Sequence, residues 1–291
     1  MKLNAYAKGV IGMTASSLIF ALLATLIRYA RDIDFFRMSM FRFVVGVCIL
    51  CTLALFKKIK LNFNNTKILF FRGFLGGIAV VLFYLAITKI GIAKGTVISF
   101  TYPVFATIGG MIFLKDRVKP LVWLLLFTSM AGVLLMTYVK DGQAHMLLID
   151  IWTVLAFLGA VLGGVALVCV KALTRTDSSY SIYMSQCLMG FWLVVIPANL
   201  SPLAPTVRVV VVLLAIGICA AVGQLLMTWS FGKLSVTTGS LLGLLTPVCS
   251  VFVGILLFGE ALGAFELVGV FVVLFSCGCI IWQDQAQSRA R

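Results

Sequence analysis

Ten apolar stretches of about 20 residues, joined by short polar links, leave this chain little choice of fold. They cover 9–27, 38–56, 68–88, 93–114, 121–139, 148–171, 181–201, 207–230, 236–258 and 263–282. A helix of about 20 residues crosses roughly 30 Å of hydrocarbon. In lipid each segment must satisfy its own backbone hydrogen bonds, and a helix does so unaided. The expectation is an all-α integral membrane protein with ten transmembrane helices. A chain that is 62% hydrophobic and 11% charged, with mean hydropathy +1.16, has too much apolar surface to hide in a soluble core. The longest polar break, Leu55 to Lys67, has no room for a soluble domain. The first apolar run leads straight into others, so no cleavable signal peptide is expected.

The fourth and ninth stretches repeat one another. Gly91 to Val118 aligns without a gap on Ser235 to Leu262, 144 positions on. Gly95, Pro103, Val104 and Gly110 recur as Gly239, Pro247, Val248 and Gly254, and Asp116 recurs as an acid, Glu260. The chain therefore reads as one five-helix unit written twice, 1–144 and 145–291. An odd number of helices forces the second unit to enter the membrane from the opposite side, so the repeats are inverted. Inverted repeats characterise secondary transporters, in which exchanging the conformations of two similar halves exposes one central site alternately to each side.

A net charge of +14 would suggest nucleic acid in a soluble protein, but here the basic residues lie in short loops and nucleic acid is not expected as a partner. With the N-terminus inside, 15 of the 23 basic residues fall on the cytoplasmic side and 8 outside. That bias favours both termini in the cytoplasm; the membrane is expected to be a bacterial inner (plasma) membrane. The first unit holds 17 basic residues and the second 6, which lets similar units insert in opposite senses.

Pro103 and Pro247 each fall about ten residues into a helix, near the midplane. A proline there has no N–H to donate and crowds the carbonyl four residues back, releasing those of Ser99 and Gly243. Two readings stand: a packing kink, or freed backbone lining a cavity. A stripe of small residues runs past each proline: Thr96, Ser99, Pro103, Ala106 and Gly110, then Ser240, Gly243, Pro247, Ser250 and Gly254. Small residues let helices approach closely in lipid, so the stripe reads as a packing and hinge surface. Thr101, Tyr102 and Phe105, with Leu245, Thr246 and Cys249, point to other faces and are the candidates for the lumen.

Deep polar groups are costly in lipid and tend to be functional or paired. Tyr84, Gln224 and Thr228 meet that description, with a helix-to-helix hydrogen bond as the other reading of Gln224. Arg42 either snorkels or faces the cavity to hold a carboxylate or phosphate. Lys89 and Lys233 recur at the same repeat position and suit gate or interface sites. The carboxylates fall in loops or near helix ends, Glu266 coming nearest to an exception, so proton coupling finds no support. His145, the only histidine, lies in a loop, and the Cys48/Cys51 pair has no second pair beside it; no metal or other cofactor is expected. The eight cysteines are expected to be small buried hydrophobes.

The chain resembles the drug/metabolite transporter superfamily, and specifically its EamA family. The resemblance rests on Met40-Phe41-Arg42-Phe43, Arg72-Gly73, the fourth-helix segment AKGTVISFTYPVFATIGGMIFLKDRV, LTPVCSVFVGILLFGE in the ninth helix, and Gly269. It covers essentially the whole chain, and the order of loose motifs carries it. Asp116 stands where the family usually has glutamate. The resemblance implies a small-metabolite transporter with a cavity built mainly from the first, third, fourth, sixth, eighth and ninth helices. It points to Tyr84, Thr101, Tyr102, Gln224 and Thr246 as cavity residues, with Phe100 and Phe105 adding ring faces. Family members export amino acids and other metabolites, and some relatives take up S-adenosylmethionine.

The leading expectation is thus a secondary-active or facilitative transporter of an amino acid or related metabolite, working by alternating access. Uptake of S-adenosylmethionine or a nucleotide-like metabolite is the alternative. A membrane-embedded enzyme on lipid-linked substrate would need a convergent catalytic cluster that the sequence does not offer. The expected partners are a small-molecule substrate and the lipid bilayer. The sequence sets no oligomeric state, and a monomer is compatible with it.

Overall fold

A computed structural model describes residues 4–30, 32–138, 150–200, 206–258 and 263–289. Arg31, His145 and Glu260 lie outside the described residues. The helices are α1 (Ala5–Tyr29), α2 (Phe35–Leu55), α3 (Thr66–Ile90), α4 (Ile92–Ser99), α5 (Tyr102–Phe113), α6 (Pro120–Tyr138), α7 (Ile151–Leu173), α8 (Ser179–Ala198), α9 (Val207–Phe231), α10 (Val236–Gly243), α11 (Leu245–Phe258) and α12 (Ala264–Arg289). Among the described residues nine spans are long and apolar enough to cross a membrane, and Pro120–Met136 is a shorter apolar helix that makes the tenth. The protein is an all-α integral membrane protein of two inverted five-helix repeats.

Local chemistry sets the helix starts. Asn4, Asp34, Asp150, Ser178, Thr206 and Ser235 cap α1, α2, α7, α8, α9 and α10 by accepting a first-turn amide hydrogen. At Asp150 the amide and hydroxyl of Thr153 both donate to the carboxylate and hold it below its usual range. Gly91 has φ 84°, so α3 turns directly into α4 through a conformation that side chains with a Cβ disfavour. The basic link after α2 is pinned to the start of α8, because Asn64 donates from its backbone N–H to Asp177 at 2.7 Å and Asn62 Nδ2 donates to the Thr176 carbonyl at 3.1 Å.

The two proline spans are broken, where the sequence suggested single kinked helices. One break lies at Phe100 and Thr101, between α4 and α5, and the other at Leu244, between α10 and α11. Just before each proline the ladder tightens to three-residue bonds, Thr101 N–H to the Ile98 carbonyl at 3.1 Å and Leu244 N–H to Leu241 at 3.0 Å. Without an amide hydrogen on the proline, the turn that precedes it has nothing to hold it in α-helical register.

Helix packing follows the two-fold relation between repeats. α1 lies on α9 as α7 lies on α3, α5 lies on α7 as α11 lies on α1, and α2–α8 and α6–α12 pair across the axis. Gly132 and Gly269 bring α6 and α12 into backbone contact: a Cβ on Gly269 would sit 2.5 Å from the Gly132 carbonyl oxygen. The symmetry fails at the broken spans. α5 packs on α10, whereas the equivalent pair, α11 and α4, has no comparable packing among the described residues.

Not all the cysteines are buried. Cys187 and Cys277 are, but Cys48 and Cys51 are exposed on the outer face of α2 and the remaining four are half-buried. In a membrane protein the outside of the bundle is also apolar, so an apolar neighbourhood does not imply burial.

Candidate functional site

Between the repeats lies a cavity of about 220 Å³. Its wall draws on α1, α3, α4, α7, α9 and α11, joined by single residues from α2, α5, α8 and α10. Most of it is apolar or small, with Phe20, Phe83 and Phe100 supplying ring faces and Ser16, Ser17, Thr96, Ser99, Thr246 and Ser250 supplying hydroxyls. Several hydroxyls already bond helix carbonyls, as Ser16 Oγ does to Gly223 at 2.7 Å and Ser250 Oγ to Thr246 at 3.0 Å. They wet the wall without leaving bare backbone.

The charged floor of the cavity consists of two arginines. Arg42, the eighth residue of α2, and Arg72, the seventh of α3, are 4% and 2% exposed. At 1.5 Å per residue each lies about 10 Å in from the start of its own membrane-spanning helix. Arg42 Nη2 donates to Gln224 Oε1 at 3.3 Å, and Arg72 Nη2 donates to Gln186 Oε1 at 3.0 Å. Gln186 Nε2 in turn donates to the Gly76 carbonyl at 3.1 Å, and a Cβ at Gly76 would overlap the Arg72 guanidinium. Each arginine therefore comes from the first repeat and its amide from the second.

Of the residues marked from the sequence, the structure brings Arg42, Tyr102, Gln224 and Thr246 to the cavity wall. Ser99, Gly243 and Pro247, marked for hinge and packing, stand there too. Phe100 stands on the wall as well, whereas Tyr84, Thr101, Phe105, Thr228, Leu245 and Cys249 lie off it. Thr101 Oγ1 donates to the Ile98 carbonyl at 2.7 Å, inside the break. Phe105 packs edge-on to Phe157 at 5.4 Å between centroids. Thr228 is fully buried behind Gln224, bonded to its carbonyl at 2.8 Å. Tyr84 is buried in the cluster with Leu23, Ile27 and Ile216, its hydroxyl turned towards Arg42. Pro103, Gly110 and Gly254 are buried in packing.

Arg72 and Gln186 were not marked from the sequence. In the sequence Arg72 serves the charge count and the family resemblance but not the cavity, yet α3 begins at Thr66 and carries it almost two turns in. A signal for Gln186 was available, since it stands 144 positions after Arg42 and so takes the same place in the second repeat.

On the closed side of the cavity Tyr102 Oη donates to the Ser240 carbonyl at 3.3 Å, and a Cβ at Gly243 would collide with that hydroxyl. Lys171 Nζ donates to the Phe231 carbonyl at 2.9 Å, and Lys233 Nζ sits 3.5 Å from the centre of the Trp229 ring. Lys89 lies over Trp152 at 5.5 Å, at the opposite end of the bundle. Each lysine thus fixes a helix end, at an interface rather than in the cavity.

The EamA-like transporter family profile matches residues 7–138 and again 150–282, one copy on each repeat. The chain belongs to the EamA-like transporter family. A pseudopaline exporter of Pseudomonas aeruginosa, CntI, is 24% identical over 280 residues, covering 95% of this chain and 97% of the exporter. Mouse solute carrier family 35 member G1 is 31% identical over 126 residues, 41% of this chain and 33% of the carrier. A crystal structure covering 99% of both chains superposes with a TM-score of 0.76 at 15% identity, which shows the shared fold. As an EamA-like protein this chain is a membrane transporter of small molecules and not an enzyme. Among the described residues no cluster of three or more His, Cys, Asp or Glu could hold a metal ion.

Proposed function

We propose that this EamA-like protein carries an amino acid or related small metabolite across a bacterial inner membrane by alternating access, with both termini cytoplasmic and the substrate in the central cavity. The observation that carries the reading is the unequal packing of equivalent half-helices, α5 on α10 but not α11 on α4. α5 and α10 occupy the end of the bundle where α1 begins, and α4 and α11 the end where it finishes. With the N-terminus inside, this conformation is closed to the cytoplasm and open outward. Two inverted repeats have a second arrangement of nearly equal energy in which the packed and parted pairs exchange, and that exchange moves the opening to the other side.

The test is counterflow in proteoliposomes, in which vesicles preloaded with unlabelled amino acids and related metabolites are assayed for accumulation of the labelled compound. Saturable counterflow that vanishes in protein-free vesicles is expected. Binding without any flux or exchange would overturn the reading.

A further inference from the structure

We propose that the cavity takes metabolites of net negative charge, whose carboxylate or phosphate oxygens dock on Arg42 and Arg72. The proposal rests on the transport reading of the same cavity and narrows its metabolites to those of net negative charge, acidic amino acids included.

Both guanidiniums are almost completely buried, both line the cavity, and both sit on membrane-spanning helices. Charges so placed are normally paired, because lipid and protein solvate them poorly. Here the hydrogen-bond partners are neutral amides, Gln224 and Gln186. Among the described residues no carboxylate lines the cavity. Several of the described acids serve elsewhere: Asp34 and Asp150 cap helices, Asp177 holds the Asn64 amide, and Glu266 accepts from the Gly263 N–H at the start of α12.

The guanidiniums also have donors to spare. Each carries five N–H groups in a planar fork, only Nη2 of each is bonded to its amide, and the Nε of both is buried without a hydrogen-bond partner. An arginine fork with unused donors in a poorly hydrated site suits an oxyanion, which it can engage through two parallel bonds. Two such forks on one cavity disfavour a cation and, with no carboxylate on the wall among the described residues, favour a net anion over a neutral zwitterion. Phe20, Phe83 and Phe100 leave the rest of the wall suited to an apolar or flat body. The position also fits the transport cycle. Each Arg–Gln bond crosses between repeats, so an anion on the arginines docks at the interface that must rearrange.

The test uses full-length protein in nanodiscs, with thermal unfolding as readout and probes of three charge classes. The anions are succinate and citrate for carboxylates, and glycerol 3-phosphate and inorganic phosphate for phosphates. Leucine is the zwitterion and S-adenosylmethionine the cation. At least one anion is expected to raise Tm, and whether it is a carboxylate or a phosphate decides the headgroup. Arg42→Gln and Arg72→Gln should each weaken that anion's apparent affinity at least tenfold, and Lys58→Gln, in the exposed loop after α2, should leave it unchanged. If either glutamine variant fails to fold, as judged by its unliganded Tm, Arg42→Lys and Arg72→Lys keep the charge but lose the fork and should weaken binding by a smaller factor.

Stabilisation by leucine or S-adenosylmethionine alone, no response to any anion, or anion binding unchanged in folded arginine variants overturns the inference. Counterflow of a zwitterion or cation without anion binding would refute it and leave the transport reading standing. Arginine-dependent anion binding without flux would do the reverse.

Discussion

Tyr102 Oη donates to the Ser240 carbonyl at 3.3 Å and ties α5 to α10 beneath the cavity. The residues 144 positions from these two are Thr246 and Thr96, and both stand on the cavity wall. One pair is joined and its repeat equivalent lies at the open side. If the repeats exchange conformations, the closed contact passes from Tyr102 and Ser240 to Thr246 and Thr96. On a background with the native cysteines replaced, Tyr102→Cys/Ser240→Cys should be joined readily in this conformation by a bifunctional thiol cross-linker, because a gap filled by a whole tyrosine side chain is too wide for a direct disulfide. Thr96→Cys/Thr246→Cys should cross-link only under turnover, and failure to do so under any condition argues against the exchange.

Tyr102→Phe removes one neutral hydrogen bond, which contributes on the order of 0.5–1.5 kcal/mol. That is about a 2- to 12-fold shift in the balance between the two states towards the one open on the α10 side. Gly243→Ala should act in the same direction with more force, because its Cβ meets the Tyr102 hydroxyl. Distances between spin labels on α5 and α10 measure both effects, and unchanged distributions would count against Tyr102 as a gate.

Gln224→Ala leaves the Arg42 guanidinium without the amide that orients it. Losing one hydrogen bond to a charged group costs roughly 1.5–3 kcal/mol, or about 10- to 150-fold in ligand affinity where that orientation governs binding. Transport should fall accordingly while the protein still inserts and elutes as a folded species. Gln186→Ala should behave alike through Arg72, and the comparison of the two is made by counterflow at equal protein.

Gly269→Ala should lower stability without touching the cavity. Its Cβ meets the Gly132 carbonyl of α6, and overpacking of this sort costs about 1–3 kcal/mol. Gly278→Ala, in the same helix, is the control because an added Cβ there meets nothing within 4 Å. Thermal unfolding in detergent should show a lower Tm for the first and little change for the second, with ligand-induced shifts retained in both.

The fold was largely legible in the sequence because lipid enforces a simple rule: an apolar run of sufficient length becomes a helix. α2 and α8 match at the 144-residue offset, Asp34 and Ser178 capping them at equivalent places. The site was legible only in part. Arg42, Tyr102, Gln224 and Thr246 can be picked out as polar groups at depth, but placing Thr101 and Phe105 in the lumen treats α4 and α5 as one continuous helix with a kink. The break at Phe100 and Thr101 rotates α5 relative to α4, so a single helical wheel does not describe both. Arg72 escaped because a basic residue near a helix start reads as a topology charge.

By itself the sequence determined the membrane class, the ten spans and the duplication, since each depends on local apolar length and on a comparison of the chain with itself. Only the tertiary structure decided that Arg42 and Arg72 share one cavity, that their hydrogen-bond partners are amides from the other repeat, and that α5 meets α10 while α4 and α11 stand apart. Those facts depend on how helices far apart in the chain pack together, and hydropathy carries no information about which side of a buried helix faces a cavity and which faces a neighbour.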